Sequence, residues 1–153
     1  MALQLSTGLR NKMLASTGWV ECFINGVIYV YSGPQPVNAD AAVQGSLLGK
    51  VTVASGAFAF GAATNGLNWA ASSGGVVTKN TDVWSMVGLT PGGTAGWFRL
   101  MGNTSDDLGS STTLARLDGS IAQSGGDLNL SSTTIVTGAT TTIDVFSFTL
   151  PAA

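Results

Sequence analysis

Two arginines are the first residues in this chain that could do chemistry. Arg99 lies in Trp97-Phe98-Arg99-Leu100 and Arg116 in Leu114-Ala115-Arg116-Leu117, both otherwise apolar runs. A guanidinium in such surroundings needs an acidic residue, a backbone carbonyl or a group on another subunit as its partner. Both are therefore expected as polar interface anchors, with an ordinary snorkelling surface arginine as the equal alternative. Asp106-Asp107 is the one adjacent acidic pair, but the alternating Asp spacing of a calcium loop is missing, and a solvated loop is expected there. Cys22 is the single cysteine of a chain without histidine, so no activating imidazole exists and an inert, buried thiol is expected.

Four tryptophans, Trp19, Trp69, Trp84 and Trp97, raise the possibility of a sugar-stacking platform. Such a site also needs convergent amides or carboxylates, and core packing or subunit contact is the stronger reading. The Gly-rich stretches Ser73-Gly74-Gly75 and Pro91-Gly92-Gly93 match neither a phosphate loop nor a dinucleotide fingerprint and read as turns. No catalytic, cofactor or metal site is assigned, and the chain is expected not to be an enzyme.

Composition points the same way. Only 9% of the residues are charged, against roughly a quarter in ordinary soluble domains. A surface so poor in charge favours association with copies of itself or with another protein. The formal net charge is −2, and Arg10, Lys12, Lys50, Lys79, Arg99 and Arg116 are dispersed, which argues against a nucleic-acid partner. Mean hydropathy is +0.34, yet no run reaches the roughly 18–20 apolar residues of a membrane span, so no membrane role is expected. Met1 to Thr7 lacks a basic stretch followed by an apolar one, so no secretory signal is read and synthesis in a cytoplasm is expected.

The elements that must position these residues are mostly strands. Ser6 or Thr7 can cap a short helix carrying Leu9, Met13 and Leu14 on one side and Arg10 and Lys12 on the other, ending at Thr17-Gly18. A second helical turn is expected at 38–43. Residues 19–24 and 27–31 flank Asn25-Gly26 and read as a hairpin with a type I′ turn. Pro34 and Pro36 cannot donate to a ladder and make 32–36 an ordered loop. Further strands are expected at 47–53, 57–60, 83–89, 96–101, 114–123, 133–136 and 141–150, the last apolar on both faces and so central or covered by a neighbouring subunit. The polar stretch 102–113 reads as a mobile loop or inter-subunit arm. The expected architecture is all-β: one β-sandwich or jelly-roll-like domain (residues 19–153) with a short N-terminal helical arm (residues 1–18).

Several stretches resemble small virion structural proteins of tailed bacteriophages: Leu5-Ser6-Thr7-Gly8-Leu9-Arg10-Asn11, the run from Ile28 through Pro36 to Ala42, Gly45-Ser46-Leu47-Leu48, Trp97-Phe98-Arg99-Leu100, Asp118-Gly119-Ser120 and Asp127-Leu128-Asn129-Leu130-Ser131. The resemblance spans most of the chain. It implies a capsid decoration (cement) protein that binds the major capsid protein on the outer surface of the shell, as a homotrimer or dimer, with no catalytic residues. A tail or head–tail connector protein is the alternative, and a carbohydrate-binding host-adhesion module the second. The expected contact elements are residues 3–13 and 33–37, with Leu5, Leu9, Arg10, Pro34, Pro36, Trp97, Arg99 and Arg116 as interface residues.

Overall fold

A computed structural model describes residues 3–152. The first two residues of the expected arm and the last of the expected domain lie outside it. The chain folds as an all-β domain with short helices near its N-terminus. In order the elements are β1 (Gln4–Leu5), α1 (Thr7–Ala15), α2 (Trp19–Phe23), β2 (Val27–Ser32), β3 (Leu47–Val53), β4 (Val76–Thr78), β5 (Trp84–Val87), β6 (Gly93–Met101), β7 (Arg116–Ala122), β8 (Leu128–Asn129), β9 (Thr134–Ile135), β10 (Thr140–Ile143) and β11 (Ser147–Thr149). The main sheet runs β1-β7-β6-β2-β3-β5-β10, with β8 added along β7 and β9 along β6. All its pairings are antiparallel except β7 with β8. β11 and β4 form a separate antiparallel pair.

The central strands β2 and β6 are covered on both faces, which is why they read as near-continuous apolar runs rather than as alternations. Ile28, Val30, Phe98 and Leu100 point to one face. There they meet Leu9, Trp19 and Phe23 of the helices, Trp84 of β5, Phe146 from the turn before β11 and Phe148 of β11. Val27, Tyr29, Tyr31, Trp97 and Met101 point to the other, where Val43, Phe58, Phe60 and Leu108 from long loops close over them. The main sheet thus lies between a layer of helices with the β4–β11 pair and a layer of loops.

Ser6 caps α1, accepting the Leu9 N–H at 3.1 Å, and Leu9 is fully buried. Gly8 has no spare room: a Cβ there would collide with the backbone of Thr113 and Leu114. Of residues 19–24, expected as a strand, 19–23 form α2 and Ile24 ends it in an extended conformation. The Glu21 carboxylate accepts the Gly18 N–H at 3.0 Å at the start of that helix. Trp19 and Phe23, four apart, turn inward with ring centroids at 4.8 Å, so packing on one helical face overrides the β-propensity of Trp, Val, Phe and Ile. Asn25-Gly26 is therefore the corner from α2 into β2 and not a hairpin turn; Asn25 alone takes a positive φ, of 52°.

Other expectations also change. The turn at 38–41 stops after one hydrogen-bonded turn, because the Asn38 side chain caps the N–H groups of Asp40 and Ala41, each at 3.0 Å. Residues 57–60 are loop, with Phe58 and Phe60 laid edge to face at 5.2 Å under the second layer. The expected strand 141–150 is split. β10 is a sheet edge, residues 144–146 turn away so that Phe146 enters the core, and β11 joins β4. No helix among the described residues is long and apolar enough to cross a membrane.

Candidate functional site

Sheet register assembles a polar row beneath the loop layer. Tyr29 pairs with Arg99, Arg99 with Asp118 and Asp118 with Gln4, across β2, β6, β7 and β1. Arg116 pairs with Met101 one step along and projects to the same face as Asp118, two residues away. Arg99 donates from Nε and Nη2 to the two Asp118 oxygens at 2.8 and 2.7 Å, and its Nη2 also reaches the Ala41 carbonyl at 3.0 Å. Arg116 grips Asp106 in the same side-on manner, at 2.7 and 2.6 Å. Both arginine side chains and that of Asp118 are fully buried, and that of Asp106 is 2% exposed.

Bidentate pairs so thoroughly dried have strong geometry but a large desolvation penalty, so their clearest effect is to fix which segments meet. The Arg99 pair locks β6 to β7 and holds the 33–46 loop by Ala41. The Arg116 pair draws the 102–115 loop onto the sheet. Burial pushes the Asp118 carboxyl above its ordinary value, against the hydrogen bond and charge of Arg99 and the charge of Arg116; the Asp106 charge adds to the rise. Burial likewise pushes the Tyr31 phenol well up, opposed by Arg99.

The N-terminal segment joins the same assembly. The Ser6 hydroxyl donates to the Leu114 carbonyl at 2.8 Å and accepts the Arg116 N–H at 2.9 Å, while the Ser6 N–H bonds the Arg116 carbonyl at 3.0 Å. Asp40 accepts two bonds from Thr7, and Gln4 Nε2 donates to the Val37 carbonyl at 3.2 Å. The two loops are tied by Val43 N–H to Leu108 carbonyl at 3.1 Å and Ser111 N–H to Asp40 carbonyl at 2.8 Å. Residues 102–113 are thus stitched down; they form neither a mobile loop nor a projecting arm. Residues 4–15 are woven into the domain in the same way.

The expected interface residues therefore divide. Leu9, Trp97, Arg99 and Arg116 are fully buried inside the chain, which corrects their reading as anchors to another subunit and excludes snorkelling for the arginines. Pro36 is also buried and Leu5 half-buried, while Arg10 and Pro34 are exposed. Asp106, expected in a solvated loop, is paired; Asp107 beside it is exposed. Sequence reasoning asked for acidic partners without finding them: the roles of Asp118 and Asp40 were missed, as were the bonds that Ser6, expected only as a helix cap, makes to Leu114 and Arg116. The signal available for Asp118 was its position two residues after Arg116, on the same face of one strand.

The tryptophans build the core. Trp19 stacks on Phe148 at 4.8 Å and 6°, Trp69 meets Trp19 at 75° and Trp84 at 87°, and Trp84 and Trp97 are 1% and 0% exposed. Their faces are taken by other rings, so the exposed, co-planar platform that sugar binding requires is not formed. Cys22 lies on α2, not in a strand, and is half-buried. Burial raises its thiol pKa, with Lys12 opposing and Glu21 adding, which disfavours the reactive thiolate.

Two open grooves flank the helices. One of about 630 Å³ is bordered by Trp19, Val77, Phe148 and Leu150; another of about 520 Å³ by Lys12, Glu21, Cys22 and Asn103. Among the described residues no group of three or more Cys, Asp or Glu is placed to hold a metal ion. Comparison with protein-family models, curated proteins and solved structures found no match to this chain.

Proposed function

We propose that this chain is a non-enzymatic structural protein of a tailed-phage virion, a capsid decoration protein that binds the outer surface of the major capsid protein shell and stabilises it. One observation carries the reading. The two segments expected to make contact, 3–13 and 33–37, are joined by the Gln4–Val37 bond, and Thr7 is fastened to Asp40 three residues beyond the second segment. Arg10, Pro34 and Val37 are exposed on these segments, and Val37 is 81% exposed.

Surface charge supports the same reading. With Arg99, Arg116, Asp106 and Asp118 buried, the cations left toward solvent are Arg10, Lys12, Lys50 and Lys79 and the acids Glu21, Asp40, Asp82, Asp107, Asp127 and Asp144. So thin a coat suits a protein held against a neutral protein surface. Repetition over a shell lets modest individual contacts hold durably, each raising the effective concentration of the next. A homotrimer or dimer at capsomer boundaries is the arrangement proposed.

The test is electron cryomicroscopy of virions purified from cells that make this protein, with symmetry imposed on the head. Density for the fold between capsomers, with the 33–37 loop toward the shell, is expected. Copies confined to the tail would assign it to the tail, and absence from the particle would overturn a virion role.

A further inference from the structure

Each buried arginine uses Nε and Nη2 on its carboxylate and leaves Nη1 over. Among the described residues neither the Arg99 Nη1 nor the Arg116 Nη1 meets an acceptor, and the Tyr31 hydroxyl and Trp97 Nε1 are also buried without a partner. These groups are neighbours. Tyr31 and Trp97 are a cross-strand pair with rings stacked at 4.6 Å, the Arg99 guanidinium lies 5.7 Å from the Trp97 ring centre, and Arg116 is diagonal to Arg99 across β6 and β7.

We propose that this layer, between the sheet and the 33–46 and 102–115 loops, binds a small hydrogen-bond acceptor: a water molecule or a monovalent anion. A buried donor with no acceptor is costly, and native interiors satisfy nearly all of them. Two guanidinium nitrogens supply two N–H groups each, the indole and phenol one more apiece. Among the described residues the Gln4 side-chain oxygen, on the same face, is a buried acceptor without a partner. Donors in such excess over acceptors match a ligand that accepts. The Arg99–Asp118 and Arg116–Asp106 pairs are each neutral overall, so the layer offers hydrogen bonds without a large net charge. A cavity of about 20 Å³, above the roughly 10–15 Å³ that one water needs, reaches this layer only at Asp106, the partner of Arg116; Lys12, Cys22, Met101 and Leu114 are among its other walls, and none of the four donors lines it.

Crystals of the full chain grown in sodium chloride and soaked in sodium bromide, with diffraction recorded at the bromine edge, test this. A peak within hydrogen-bond distance of Arg99 or Arg116 Nη1 is expected. Anomalous signal at that peak identifies an anion; ordinary density without it identifies water. In solution, the Trp97 indole proton should show cross-relaxation with a long-lived water in the second case, and thermal unfolding should shift with halide at constant ionic strength in the first. No peak near any of the four donors, with both Nη1 groups bonded to backbone carbonyls, would overturn the proposal.

Discussion

Asp40 holds Thr7 by two bonds, accepting its N–H at 2.8 Å and its hydroxyl at 2.7 Å. The residues are 33 apart in sequence, and the contact fastens the first turn of α1 to the 33–46 loop. A carboxylate at a helix N-terminus also meets the positive end of the helix dipole. Arg10 Nη2 then donates to the Thr7 hydroxyl at 2.9 Å, so the contact extends to an exposed charge.

Replacing that carboxylate should loosen one corner of the fold and leave the rest. Asp40→Ala is expected to lower stability by about 1–2 kcal/mol, the scale of a lost helix cap. By hydrogen exchange, residues 3–15 and 36–44 should lose protection while β3 and β5 keep theirs. Uniform loss across the chain would mean that the corner is not a separate unit.

The Arg99–Asp118 pair should respond asymmetrically to substitution. Asp118→Ala leaves a guanidinium buried without its counter-ion and is expected to cost about 3–5 kcal/mol. Arg99→Met combined with Asp118→Leu removes both charges and should recover most of that loss. Urea midpoints for the two variants decide it. A double variant as unstable as the single one would show that the pair is held in place by more than mutual neutralisation.

How much of this could be read in advance varies by element. β3 was legible at 47–53 to the residue, and the short helix begins at the expected Ser6 cap, because both signals are local. The strand reading of 19–24 failed because Trp, Val, Phe and Ile favour strands individually, whereas the Trp19–Phe23 spacing and the Gly18–Glu21 cap favour a helix together. The need of Arg99 and Arg116 for acidic partners was legible from their apolar neighbours. Which acids they meet was not: the partners lie 19 and 10 residues away, a separation set by strand order. The burial of Trp97 on a second face was hidden for the same reason, since long loops cover that face.

Asp118 should titrate above the ordinary aspartate value of 3.8, since burial outweighs its arginine neighbours. A folded-state pKa above the unfolded one means that the native chain holds this proton more tightly. The contribution of this group is therefore fully present below the unfolded pKa and is lost as pH rises through the folded one. Carboxyl carbon shifts followed by NMR would give the midpoint. A midpoint below 3.8 would show that pairing with Arg99 overcomes desolvation.

The proposed contact with a shell should be separable from folding. Val37→Asp combined with Arg10→Glu alters two exposed side chains of the joined segments, and the thermal midpoint should stay within a few degrees of the parent. Co-sedimentation with particles lacking the protein should fall at least tenfold. Undiminished sedimentation would place the contact on another face.

The division of aromatic residues between the two sides of the sheet has an optical consequence. Trp19, Trp69 and Trp84 cluster with the helices and the last strands, whereas Trp97 lies alone under the loops beside Tyr31. The chain thus carries two native fluorophore groups, one for each covering layer. With excitation that only tryptophan absorbs, a Trp97→Phe protein emits from the helical side alone, so its difference spectrum against the parent isolates the loop side without any added dye.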